Sequence, residues 1–446
     1  MTKIKYSGSQ WIGAIPIEWK VNRLRYNCDF KTGGTPPDKY GINLIGDGYP
    51  WITAQDMGNG FEITKYTQYI SDDAIKLCKY KLFPAGSILL VCIASVGKIG
   101  YSLEKTYSNQ QITSLKSKAH LFDKYLLYLV ISLSPMIEKD ASSNVVSIIN
   151  TQYLKNINCC FPIYKEQQLI ANFLDEKVNK IDKIINDLNK QIDIINDYRK
   201  SLIIETVTKG LRNKIKLKDT KINWIGYIPQ HWNVKKIKHS FVDNNFGIKV
   251  GPFGSSLTDC VVSESEGDYK IYGQANLIRR NFLFGDNYIT KKDFNRLKNY
   301  EVIAGDIVVS MMGTIGKCRV VPNNIERGIM DSHLIKIRLD KKIMNSKYFE
   351  YQYEGNNIYE QLLYYSNGSI MSGLNSTIIK NVYFVYPPID EQNEIVKYLD
   401  SKCAKINKIL EEKNKQIEQM QQYKKSIIYE YVTGKKRVRG AEELYG

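Results

Sequence analysis

Histidine and cysteine, the side chains that hold most transition metals, are few in this 446-residue sequence and poorly spaced for the task. The four histidines are His120, His231, His239 and His333; the cysteines stand at 28, 78, 92, 159, 160, 260, 318 and 403, with no Cys-x-x-Cys. A zinc site is therefore not expected, and the thiols read as reduced and buried. Nucleotide-binding glycine patterns are missing too. A phosphate-binding loop would need Gly where Cys92 and Met311 precede Gly97-Lys98 and Gly316-Lys317. There is no Gly-x-Gly-x-x-Gly, His-Glu-x-x-His or Gly-x-Ser-x-Gly, and no Asn or Asp before Pro-Pro-Tyr or Pro-Pro-Phe, as an amino-methyltransferase would carry; residues 386–389 read Tyr-Pro-Pro-Ile. The longest apolar stretches, near 88–94 and 303–309, fall short of the roughly 18–20 residues that span a bilayer. Residues 1–11 lack a secretory pattern, so a cytoplasmic protein without a membrane partner is expected.

What the chain has in excess is positive charge: 63 Lys and Arg against 46 Asp and Glu, a formal net charge of +17. That balance favours a polyanionic partner, nucleic acid first. With 43% hydrophobic residues, 30 Gly and 12 Pro, the composition is that of a folded protein of several domains.

The sequence is also written twice. Trp11-Ile12-Gly13-Ala14-Ile15-Pro16 with Trp19 returns as Trp224-Ile225-Gly226-Tyr227-Ile228-Pro229 with Trp232. Ala85-Gly86 with Gly97-Lys98 is echoed by Ala304-Gly305 with Gly316-Lys317. Pro162, Glu166-Gln167, Leu174-Asp175, Ile181 and Val207-Thr208 match Pro387, Glu391-Gln392, Leu399-Asp400, Ile406 and Val432-Thr433. The ends of each copy agree while the middles diverge, as expected of a shared scaffold bearing two working surfaces, or of a duplicated core with drifted loops.

Each copy ends in a rod. Ile170, Leu174, Val178, Ile181, Ile185, Leu188, Ile192 and Ile195 alternate at four and three residues, a coiled-coil stripe. The second stripe, Ile395, Leu399, Cys403, Ile406, Leu410, Ile417, Met420 and Ile427, is interrupted by Lys413 and Lys424. Pro162 and Pro387 precede the rods; Gly210 and Gly434 stand where helices stop. A striped helix must bury its stripe, and the nearest equivalent surface is the other rod. A closed arrangement of the two copies requires the rods to run antiparallel. The expected divisions are a head at 1–165, a rod at 166–210, a second head at 211–390, a second rod at 391–434 and a basic tail at 435–446. The heads carry net charges of +7 and +8 whereas the rods sum to zero, which places polyanion binding on the heads. Within the heads, 87–91 and 306–310 read as strands, and 125–137 and 348–363 as helices.

The Trp-Ile-Gly-x-Ile-Pro-x-x-Trp opening, the Ala-Gly turn into a strand followed by a Gly-Lys turn, and the Pro-x-x-x-Glu-Gln start of each rod, three motifs in order and twice over, closely resemble the DNA specificity subunit of type I restriction-modification systems. The resemblance covers essentially the whole chain. It implies an α+β fold of two pseudo-twofold-related mixed α/β target recognition domains joined by two long helices in an antiparallel coiled coil. Each domain would read one half of a bipartite sequence in double-stranded DNA. The resemblance further implies two modification subunits that carry S-adenosylmethionine and methylate adenine N6, and restriction subunits that use ATP, this chain being a non-catalytic reader that binds neither cofactor. A related type IIB-like arrangement, with methylase and nuclease fused in one partner, would look the same in this sequence. A stand-alone nucleic-acid-modifying enzyme and a basic coiled-coil adaptor are readings from other classes.

Candidate DNA-contacting residues are Thr53, Gln55, Lys98, Gln110 and Gln111 in the first head, and Gln274, Asn276, Arg279, Arg280 and Lys317 in the second. Gln and Asn bond adenine in bidentate fashion, Arg bonds guanine, and Lys suits phosphate. The alternative for each is an ordinary solvated loop side chain.

Overall fold

The structure, a computed structural model, describes residues 3–445 apart from 36–47, 59, 79, 143–147, 213–214, 243–246, 258–259, 264–266, 312–316 and 366–373. The chain forms two compact units, Met1–Asn189 with Lys413–Gly446, and Lys190–Glu412. The boundary between them falls inside the rods, so each unit owns the start of one rod and the end of the other.

Unit 1 is built on a five-stranded sheet in the order Cys28–Thr32, Ile112–Ser117, Ile88–Val91, Ile99–Ser102 and Glu62–Ile63. Beside it stands a three-stranded sheet of Tyr107–Ser108, Tyr49–Ile52 and Tyr69–Ile70, its first pair parallel. Unit 2 repeats this scheme. Ile248–Val250, Leu334–Ile337, Ile307–Ser310 and Cys318–Val320 form one sheet; Tyr288–Ile289, Tyr269–Tyr272, Gly328–Met330 and Glu301–Val302 form the other. The parallel pair recurs between Tyr269–Tyr272 and Gly328–Met330. The strand expected at 87–91 is Ile88–Val91, and that at 306–310 is Ile307–Ser310. The first head helix is Asp123–Ala141, longer than its sequence pattern indicated. Its counterpart is two helices, Ser346–Glu354 and Asn356–Tyr365, because Gly355 adopts an extended backbone between them.

The rods are single helices, Tyr164–Lys209 of 46 residues and Ile389–Val432 of 44. Their stripes are buried where they lie on a head: Ile170, Leu174, Val178 and Ile181 with Ile427 in unit 1, and Ile395, Leu399, Cys403 and Ile406 in unit 2. From Ile185 to Ile195 the stripe is half-buried. Within each unit the two rod segments run in opposite directions. In unit 1 the Phe173 and Tyr431 rings lie 4.5 Å apart, and Lys424 Nζ reaches both Asp182 oxygens at 2.7 Å. In unit 2 Arg199 lies beside Cys403, and Leu202, Glu205 and Thr206 share a cleft with Tyr398. Lys424, which interrupts the apolar stripe in sequence, is thus a paired seam position.

The joint between head and rod is the same in both units and is made by the repeated motifs. Trp19 Nε1 donates to Glu166 Oε2 at 3.0 Å, and Trp232 Nε1 to Glu391 Oε2 at 2.8 Å. Gln167 accepts from Phe122 N and donates to Pro162 O; Gln392 accepts from Asn345 N and donates to Pro387 O. Tyr128 and Tyr351 each donate to a rod carboxylate, Asp175 and Asp400, at 2.6 Å. Tyr125 OH lies 3.2 Å from Val432 O, and Tyr348 OH donates to Val207 O at 3.0 Å, so each head also holds the end of the other rod. The tail is not a separate segment. Arg437 and Tyr445 both bond the fully buried Glu166, at 3.0 and 2.6 Å, within unit 1.

The rod ends reach the tryptophans closely enough that only glycine fits. Gly434 has φ +70, and a Cβ there would lie 2.5 Å from Pro16 Cδ and 3.2 Å from the Trp19 ring. Gly434→Ala should therefore cost roughly 1–3 kcal/mol, whereas Gly58→Ala, in open space, should stay within about 0.5 kcal/mol. Urea unfolding of the full chain measures both, and equal midpoints would contradict the clamp.

Candidate nucleic-acid interface

In unit 1, strand register brings the ends of both sheets to one place. Cys92 N donates to Gln111 O at 2.7 Å, Val91 N to Lys98 O at 2.9 Å, Asn109 N to Ile52 O at 3.2 Å, and Gly33 N to Ile112 O at 3.0 Å. The turns at 53–56, 92–98 and 109–111 are therefore neighbours, and all five candidate residues of this head belong to them. Lys98, Gln55 and Gln110 are exposed; Thr53 and Gln111 are half-buried. Thr53 is committed to its turn: its N and Oγ1 donate to Asp56 Oδ2 at 2.8 and 2.9 Å, and Thr67 binds the other oxygen. Burial works against the Asp56 charge, but these hydrogen bonds win and hold the carboxyl below its ordinary value. Gln111 accepts from Asn109 Nδ2 at 3.1 Å.

Unit 2 has the same construction. Ser310 N donates to Lys317 O at 2.9 Å, Met311 N to His333 O at 2.9 Å, Asp331 N to Tyr272 O at 2.8 Å, and Gly251 N to Leu334 O at 2.8 Å. Lys317 is thus the register equivalent of Lys98 and is exposed; Gly316 lies outside the described residues. The equivalent of Asn109-Gln110-Gln111 is Asp331-Ser332-His333, which sequence reasoning missed. The insertions between the copies hide that alignment, and hydrogen-bond register reveals it.

The other four candidates of this head sit on or just after the helix Gln274–Arg279. Gln274 is half-buried. Asn276 is 3% exposed, and its amide is used within the fold: Oδ1 accepts from Gly273 N, while Nδ2 donates to Asn281 O and Phe284 O. That amide holds a turn and has no edge left for a base. Arg279 lies over the Phe284 ring at 4.0 Å. Arg280, at φ +54, bonds Glu354 at 3.0 Å, which also receives Arg199 and Arg319 at 2.9 Å each. Burial opposes the Glu354 charge, yet the three guanidinium groups outweigh it and keep the carboxyl below the ordinary glutamate range. Burial, then repulsion by Arg319, lowers Arg280. Lys270 and Lys336 are buried as well, the first paired with Glu326 at 2.8 Å and the second capping Asn299 O and Glu301 O. Part of the positive charge of this head is therefore structural, a distinction a charge count does not draw.

Burial holds the core cysteines in their thiol form. Cys28 and Cys160 are pushed up to about 12 by burial, and Cys159 and Cys318 are raised well above the ordinary thiol value for the same reason. No described trio of His, Cys, Asp or Glu forms a metal cluster, and no described helix is long and apolar enough to cross a membrane.

Because the Glu354 carboxyl is held below its unfolded value, its contribution to stability is present above about pH 4 and fades as pH falls through the folded value. Glu354→Gln should destabilise the chain by roughly 3 kcal/mol at neutral pH and flatten the acid limb of its stability profile. Urea unfolding at pH 7 and pH 3.5 measures the difference; an unchanged acid limb would contradict the assignment.

Comparison with known proteins accords with this architecture. The type I restriction modification DNA specificity domain matches residues 16–193 and again 260–419. A Methanocaldococcus jannaschii protein provisionally named the type I restriction enzyme MjaX specificity subunit is 27% identical, covering 96% of this chain and 96% of its own. The type I restriction enzyme MjaVIII specificity subunit of the same organism is 23% identical over 95% and 94%. A solved chain, from work titled as the structural basis of complex assembly and conformational transition of the type I R-M system, superposes with a TM-score of 0.66 at 12% identity, covering 94% of this chain and 98% of that one; it shares the fold. With two matched domains spanning most of its length on a duplicated frame, the chain belongs to the family of type I restriction-modification DNA specificity subunits, whose domain recognises the DNA target.

Proposed function

We propose that each unit reads one half of a bipartite duplex target, with the rods setting the gap between the half-sites, and that the chain directs partner subunits without itself catalysing a reaction. Two modification subunits would bring S-adenosylmethionine and methylate adenine N6, restriction subunits would use ATP to cleave, and the complex would work in the cytoplasm. One observation carries this reading. The same sheet ends converge in both units by the same backbone bonds, yet present different side chains, Asn109-Gln110-Gln111 against Asp331-Ser332-His333. One frame with two unlike surfaces suits a target whose halves differ. Lys98 and Lys317, at equivalent exposed turns, are suited to phosphate; Gln55, Gln110, Gln111, Gln274 and Arg279 remain candidates for base or backbone contact.

The test is binding and methyl transfer by the complex assembled with its partners. Lys98→Ala and Lys317→Ala should each weaken binding to all duplexes alike and reduce the slope of log affinity against log salt by about 1. The chain alone, given methyl donor and DNA, should transfer nothing. Turnover by the isolated chain, or an assembled complex that binds target and random duplex equally, would overturn the reading.

A further inference from the structure

Equivalence between the two units sorts their residues into two kinds. Those that build the frame are the same in both units: Trp19 and Trp232, Glu166 and Glu391, Gly33 and Gly251. Those that differ are the Asn109 and Asp331 turns and, two residues beyond the equivalent glycines, Thr35 and Phe253. Phe253 is therefore not required by the repeat. It is also 84% exposed, the most exposed of the large apolar side chains among the described residues. A phenyl group so placed forgoes the burial that normally keeps such a ring in the core.

Nor is Phe253 on a loosely tethered loop. Its carbonyl accepts from Ser256 N at 2.8 Å, Pro252 precedes it, and the loop lies directly on the Asp331 turn: a Cβ on Gly251 would fall 1.9 Å from Asp331 O. Beside the ring is a recess of about 660 Å³, whose lining includes Lys249, Gly251, Tyr300, Met311 and His333. His333 is tethered through Nδ1, 3.4 Å from Ser332 Oγ and 3.7 Å from Asp331 Oδ2. Its Nε2 has no hydrogen bond to the described residues, and half of the side chain is exposed. The neighbouring helix Gln274–Arg279 is less available, since Asn276 is consumed within the fold and Arg279 stacks on Phe284.

We propose that the Phe253–His333 recess is the base-reading surface of unit 2. Phe253 supplies apolar contact to base edges in the major groove of duplex DNA, a thymine methyl above all. His333 Nε2 hydrogen-bonds a base edge, Lys249 in the lining contacts phosphate, and Lys317, on the turn bonded to Ser310, supplies a second phosphate contact. This rests on the DNA-reading function proposed above and names the residues that carry it out in one half.

The experiment uses the full chain with its modification partners, a wild-type target obtained by mapping methylated bases, and duplexes altered one base pair at a time in either half. Phe253→Ala should weaken binding to the target about 10-fold or more, leave random duplex unaffected and leave the salt slope unchanged. His333→Ala should abolish discrimination at one base pair of one half-site and none of the other. Thermal unfolding of both variants should match wild type, because both side chains are at the surface. Wild-type affinity and discrimination in both variants would overturn the assignment while leaving the DNA-reading function standing. So would equal losses on target and random duplex. A wild-type complex with no sequence preference would overturn both.

Discussion

The indole-to-carboxylate hydrogen bond at the base of each head is the interaction on which the rest of the fold depends. Trp19 with Glu166, and Trp232 with Glu391, tie the opening motif of each repeat to the first turn of its rod. Both indoles are fully buried, as is Glu166, so the first bond is shielded from water and expensive to leave unmade; Glu391 is half-buried and also accepts from His231. The same tryptophans receive the glycine that ends the opposite rod, Gly434 on Trp19 and Gly210 on Trp232. One side chain therefore orients the head, starts one helix and stops another. Around it the buried tyrosines Tyr125 and Tyr348 each donate to the end of a rod, and the Gln167 and Gln392 amides each bond the carbonyl of the proline before theirs.

A frame held this firmly can carry varied surfaces. The sheet ends are placed by backbone hydrogen bonds, and the turns are closed in both units by the side chain at their first residue, Asn109 accepting from Gln111 N and Asp331 from His333 N, so the following two side chains differ between the copies on one register. Charge follows the same division. The buried Lys270, Lys336 and the Glu354 cluster of three arginines serve the fold, whereas Lys98 and Lys317 stand at exposed turns. Affinity for a polyanion and discrimination between sequences can thus be set by separate residues on one scaffold.

Much of this frame was legible in the sequence because its determinants are periodic or repeated. The rods follow from their stripe spacing and their Pro and Gly boundaries, and they lie within two residues of the expected limits. The Trp and Glu-Gln motifs stand out through the duplication, although nothing in their spacing says that they bond each other. Antiparallel pairing followed from connectivity alone. The split of one head helix depended on the local conformation of Gly355, which a helical pattern does not reveal. The proposed reading surface was harder still. In unit 1 the candidates came from turns that do converge, but in unit 2 polar residue type pointed to Asn276 and Arg280, whose groups are consumed internally, and passed over Asp331, Ser332 and His333. Whether an amide or guanidinium is free is decided by long-range packing, such as the contact of Arg280 with Glu354 some 74 residues away, which no local pattern encodes.

The central claim, that one repeated frame carries two independent reading surfaces, is tested most directly by exchange. Residues 16–165 would be replaced by the corresponding segment of another family member, and methylated bases mapped in DNA from cells carrying the chimaera with its partners. The account predicts that one half of the recognised sequence changes and the other half stays. A change in both halves, or in neither, would contradict it.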